Sequence, residues 1–216
     1  MSIEKQTKNN AASPANTAVL VLDMISDFRF EDGEKLYPHA VKAAAAIASL
    51  KSRAKEAGMP VIFVNDNFGK WNEDFHSYTD SIRKSSEKGR KIIDMIGPDE
   101  GDYHILKPQR SAFYATPLGV LLMTLDISKL VFTGVTTDIC ILFSAHDAYM
   151  RGFHVSVPSD CAAAIDKAYH DDALRFVERV IYADTRPGAE ITFDRQPIVS
   201  TGPKSKAVGQ KGGSEF

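Results

Sequence analysis

Short β-branched runs alternate along the chain with longer segments of helical periodicity. Residues 18–22 (AVLVL) read as a buried strand, 38–57 as an Ala-rich helix ended by Gly58, and 61–64 (VIFV) as the next strand. A helical pattern near 117–125 leads to a strand at 130–133, then a helix from about Asp138 to Arg151 closed by Gly152. A strand at 154–157 and a helix near 167–180 complete the rhythm. Strands that are apolar along their whole length are covered on both faces, and a helix after each strand makes the sheet parallel. The expected fold class is therefore α/β, a three-layer α/β/α arrangement around a mostly parallel sheet. Ligands in such folds bind beyond the carboxyl ends of the strands, where Asp23, Asp66 and the segment GVTTDIC (134–140) fall.

The chain of 216 residues suits one domain of this kind. Its expected extent is 17–201. Residues 1–16 are polar, and 202–216 are rich in Gly and Lys, so both read as flexible tails; the final GGSEF reads as an appended cloning sequence. With 44% hydrophobic and 25% charged residues the composition is that of an ordinary globular protein. The 26 basic residues nearly cancel the 28 acidic ones, and no basic stripe supplies a field for nucleic acid or an anionic membrane. No apolar stretch approaches the roughly 20 residues of a bilayer span. The N-terminus lacks the apolar core of a secretory signal, so the cytoplasm is the expected location. The expected partner is a small molecule, with no nucleic acid and no membrane. The stretch 83–91 (RKSSEKGRK) reads as a solvated helix face or loop.

Three residues carry candidate chemistry. Cys140 falls in the first turn of the helix after the strand 130–133, where the helix dipole and unpaired N–H groups favour thiolate and could hold an oxyanion. A buried thiol packed at that junction is the competing reading. Asp23, directly after the first strand, is placed to take a thiol proton, or else to cap a loop. Lys107, in an extended segment before Pro108, could stabilise a thiolate by charge, or could be a solvated surface lysine. Cys161 reads as a packed thiol, and no CxxC metal spacing is present.

The segments DMISDF, LKPQRSAFYATPL and TGVTTDICILFSAHDAYMRGF, in that order, resemble those of the isochorismatase-like cysteine hydrolases. The family includes nicotinamidase and N-carbamoylsarcosine amidohydrolase. The resemblance spans 18–164 and implies a Rossmann-type fold with roughly six strands. It implies Asp23, Lys107 and Cys140 as catalytic residues and a cis peptide between Val135 and Thr136. The backbone N–H groups of Thr136 and Cys140 would then form the oxyanion hole. The implied activity is hydrolysis of an amide or ureido C–N bond through a thioester, in a homo-oligomer, dimer or tetramer. Two departures bear on substrate. Ile25 stands where nicotinamidases carry glutamine, and VNDNFGKW has Phe68 where they carry a metal-binding histidine. No metal and no cofactor are expected, because Asp66 alone is a poor divalent site. Phe28, Asn67 and Trp71 are the expected pocket residues. The alternatives are vinyl ether hydrolysis of the isochorismatase type, for which family members do not need the cysteine, and a non-catalytic binding protein that keeps the fold.

Overall fold

The computed structural model describes residues 16–193. The expected tails lie outside them, save Asn16, as does 194–201 of the expected domain. Six strands form one sheet: β1 (Thr17–Leu22), β2 (Val61–Asp66), β3 (Tyr103–Lys107), β4 (Lys129–Val135), β5 (His154–Ser156) and β6 (Ala162–Ala163). Their order is β3-β2-β1-β4-β5, with β6 also on β4, and these pairings are parallel. β5 lies beside the start of β4, pairing His154 with Lys129. β6 lies beside its end, pairing Ala162 with Gly134.

Alternation along each strand sorts the core into two layers. Val19 and Val21 of β1 join Val61, Phe63 and Val131 under the helices α1 (Gly33–Glu56), α2 (Phe75–Ser85) and α3 (Glu87–Ile96). Ala18, Leu20 and Leu22 point the other way, with Ile62, Val64 and Phe132, under α4 (Leu118–Thr124), α5 (Leu142–Met150) and α6 (Lys167–Ile181). This is the three-layer α/β/α fold, because a period of two sends successive side chains to opposite faces.

Some elements differ from the sequence expectation. Helix α1 begins at Gly33, so Pro38 lies inside it and does not open it. At that position proline withholds one N–H from the helix. The stretch 83–91, expected to be a solvated helix face or loop, spans the junction of α2 and α3. Each of these helices has its own cap. Asp74 accepts the N–H groups of His76 and Ser77 at 2.9 and 3.0 Å, and Ser86 Oγ accepts that of Gly89 at 3.1 Å. The helix expected from Asp138 starts as a π-helical turn, Thr137–Ile141, before α5 proper.

The strand order reverses direction across β1 and β4, which opens a crevice beyond their carboxyl ends. Gly134 brings these ends together. Its φ is +106°, and a Cβ there would overlap the carbonyl oxygen of Leu22.

Candidate active site

Asp23 follows β1 immediately, in a left-handed conformation (φ 53°), and its N–H donates to Val64 O at 2.9 Å. That turns its carboxylate across the end of β2, where Oδ1 accepts the Asp66 N–H at 2.7 Å. The loop after Asp23 is held from below. The buried Asn65 donates its amide to Ile25 O at 2.7 Å and accepts the Ile25 N–H at 3.3 Å, and Tyr78 Oη donates to the same carbonyl at 3.1 Å.

Lys107 is the last residue of β3, in register with Asp66, and has no exposed surface. Its Nζ stands 3.0 Å from Asp23 Oδ2, 3.6 Å from Asp66 Oδ2 and 3.6 Å from Cys140 Sγ. Cys140 sits in the π-helical turn after β4, partly exposed. Strands β1, β3 and β4 therefore deliver a carboxylate, an ammonium and a thiol to one point.

Burial dominates the electrostatics of this cluster. It raises the Asp23 carboxyl above its ordinary value of 3.8, although Lys107 pulls it down. Burial alone would lower the Lys107 ammonium, but the charge of Asp23, with Cys140 and Asp66, outweighs it and the pKa rises. The Cys140 thiol is pushed up to about 12, first by burial and then by the charge of Asp23. This departs from the thiolate expected at a helix start. Desolvation of an anion beside a carboxylate outweighs the dipole of one turn, which favours the thiol form of Cys140 next to Asp23.

Asp23 and Cys140 open onto a cavity of about 680 Å³. Phe28, as expected from the sequence, lines it, together with Thr136, Ile139 and Ile165. The Val135–Thr136 peptide is cis. Asn67 and Trp71, expected in the pocket, are not among the lining residues. The Asn67 side chain is used within its own loop, where Oδ1 accepts the Gly69 N–H at 3.0 Å. Trp71 is 77% exposed on the turn after β2. Phe68 takes the lining position instead, its ring stacked on Tyr78 with centroids 6.2 Å apart.

The donors near Asp66 do not fit a divalent cation. One of its oxygens accepts the Phe68 N–H at 2.6 Å, and the other faces the Lys107 ammonium. Phe68 offers no ligand, and among the described residues no group of three His, Cys, Asp or Glu is arranged to hold a metal. Among the same residues, no helix is long and apolar enough to cross a membrane.

A family model described as the isochorismatase domain matches residues 17–185. The chain belongs to the isochorismatase family. Within that family it is 37% identical over 186 residues to the uncharacterized isochorismatase family protein YaaI of Bacillus subtilis (strain 168), covering 86% of this chain and 98% of YaaI. Among solved structures it is similar to N-carbamoylsarcosine amidase from Thermoplasma acidophilum. The TM-score is 0.62 at 28% identity, over 82% of this chain and 98% of that one. It is also similar to the nicotinamidase SaPncA from Staphylococcus aureus, with a TM-score of 0.63 at 25% identity over 80% and 99% of the two chains. By their names both of these structural neighbours are amidases.

Sequence reasoning missed the residues that brace the cluster. Ser144, fully buried, donates Oγ–H to Cys140 O at 2.6 Å and accepts the Ala112 N–H at 2.9 Å, tying the Cys140 helix to the segment after Lys107. Its i+4 spacing from Cys140 was a readable signal. Thr137 Oγ1 lies 2.8 Å from His170 Nδ1 of α6, and no local pattern links that pair.

Proposed function

We propose that this isochorismatase-family protein is a cysteine-dependent amidohydrolase that cleaves an amide or ureido C–N bond of a small molecule through a thioester. The observation that carries this reading is the convergence of Asp23, Lys107 and Cys140 beside one cavity, which Asp23 and Cys140 line, with the buried Lys107 Nζ within 3.6 Å of both. Lysine is rarely buried without a reason in charge, and a scaffold has no need of it here.

In the first step the Asp23 carboxylate takes the thiol proton as Sγ bonds to the substrate carbonyl carbon. The carbonyl π electrons move to oxygen, and the Thr136 and Cys140 N–H groups hold the resulting oxyanion. As the carbonyl re-forms, the C–N bond breaks and Asp23 passes its proton to the leaving nitrogen. In the second step a water loses a proton to Asp23 and attacks the thioester carbon. Sulfur then departs as thiolate and recovers that proton. Lys107 stays protonated throughout and balances whichever anion, carboxylate or thiolate, is present.

Such an enzyme releases ammonia from members of a panel of primary amides and ureido acids, or opens a lactam to its amino acid. Cys140→Ala is expected to lower turnover of an active member at least 1000-fold. Retained ammonia release in that variant would remove the thiol mechanism. Turnover of a vinyl ether by the same variant would replace amide hydrolysis with the isochorismatase-type reading.

A further inference from the structure

We infer that Asp66 is a further catalytic residue, whose carboxylate holds the water that discharges the thioester on Cys140. The inference rests on the proposed role of Cys140 and adds a residue to its second step. Asp66 ends β2 in register with Lys107, and its backbone N–H donates to Asp23 Oδ1 at 2.7 Å, so its position is fixed relative to both. It lines the same cavity as Asp23 and Cys140, and it is the more open of the two carboxylates, its side chain 33% exposed against 13% for Asp23. Its two oxygens are unequally used. Oδ1 accepts the Phe68 N–H at 2.6 Å, whereas among the described residues Oδ2 has only the Lys107 ammonium, 3.6 Å away and beyond hydrogen-bond length.

A carboxylate oxygen offers two lone pairs, and this one lies near the sulfur. Asp66 Oδ2 and Cys140 Sγ are each 3.6 Å from Lys107 Nζ, so they are no farther apart than twice that distance. A water placed between Oδ2 and the acyl carbon carried on sulfur, about 3 Å from each, fits such a span. Asp23 is less free to aim it alone, since Oδ1 holds the Asp66 N–H and Oδ2 stands 3.0 Å from Lys107 Nζ. The water has two hydrogens. One passes to Asp23 as the new C–O bond forms and the carbonyl π electrons shift to oxygen. The other is held by Asp66 Oδ2, which turns a lone pair of the water toward the carbon. When the carbonyl re-forms, the C–S bond breaks and sulfur recovers the proton from Asp23. The hydrogen held by Asp66 leaves on the product acid, which gives it up to solvent. Acylation involves no water, so the role of Asp66 is confined to the second step. A carboxylate that only balanced Lys107 would act on both steps, because Asp23 and Cys140 sense that charge throughout.

The activated ester p-nitrophenyl acetate tests this without a known substrate. Nitrophenolate release reports acylation, and the acetyl group left on the Cys140 peptide, followed by mass spectrometry after acid quenching, reports deacylation. Asp66→Asn keeps an oxygen for the Phe68 N–H and removes the charge. In this variant acylation should stay within about threefold of the wild type while hydrolysis of the acetyl-enzyme slows about tenfold or more, so that acetyl-Cys140 accumulates. Hydroxylamine attacks a thioester without a water to be oriented, and it should discharge the variant at the wild-type rate. Hydrolysis unchanged in Asp66→Asn, or acylation and hydrolysis slowed alike, overturns the role of Asp66, and so does hydroxylamine discharge slowed as much as hydrolysis. Nitrophenolate release no faster in the wild type than in Cys140→Ala removes the nucleophile itself, and the role of Asp66 falls with it.

Discussion

At Cys140 two physical effects compete, and the structure decides between them. A helix start lowers a thiol pKa, whereas burial beside a carboxylate raises it, and here it is pushed up to about 12. Alkylation of Cys140 by iodoacetamide should therefore keep rising with pH to about 10, because the thiolate fraction is still growing there. A plateau near neutrality would mean a preformed thiolate. In the proposed mechanism Asp23 sets the opposite limb. Its raised pKa means that turnover falls on acidification at a pH above 3.8, as the base takes up a proton. For stability the sign is reversed: folding favours protonated Asp23, so its contribution is complete below 3.8 and is lost as pH rises through the raised value. Lys107→Met, which keeps the length and removes the charge, should move the acid limb up by about 1 unit or more and slow turnover at least about 100-fold, both read from a pH–rate profile. The positions of these three residues were legible in the sequence, since each follows or ends an apolar run. The state of the thiol was not, because it depends on a carboxylate more than a hundred positions away.

Among the elements, the junction of β1 and β4 bears the most demand. Gly134→Ala would force a Cβ against the Leu22 carbonyl at a φ few side chains adopt, with an expected loss of about 3 kcal/mol or more in urea unfolding. A loss under about 1 kcal/mol would show that the two strands can part without harm. The strands and long helices were readable because their periods are sustained. Helices α2 and α3 were not, since outward charges such as Arg83, Lys84 and Lys91 dominate 83–91, where the buried positions are the small residues Ser86 and Gly89 and carry no apolar signal. The pocket suffered similarly. Asn67 and Trp71 occupy a turn whose direction depends on local hydrogen bonds, and so Phe68, the adjacent residue, reaches the cavity in their place.

For the molecule as a whole, the donor set around Asp66 predicts independence from divalent metals. Turnover should be unchanged after exhaustive treatment with a chelator, and activity lost on chelation and restored by zinc would contradict the pairing of Asp66 with Lys107. Chain order carries a further consequence. β1 is central in the sheet, between β2 and β4, yet β4 begins at Lys129, more than a hundred residues after the β1 residue, Thr17, with which it pairs. A chain emerging from the ribosome can pair β1 with β2 early, but its other edge stays bare until β4 has been made. Until then Val19, Leu20 and Val21 present an unpaired apolar strand of the kind that recruits neighbouring chains. The same late strand leads into the turn that carries Cys140, so the nascent protein stays without its thiol until that edge is closed.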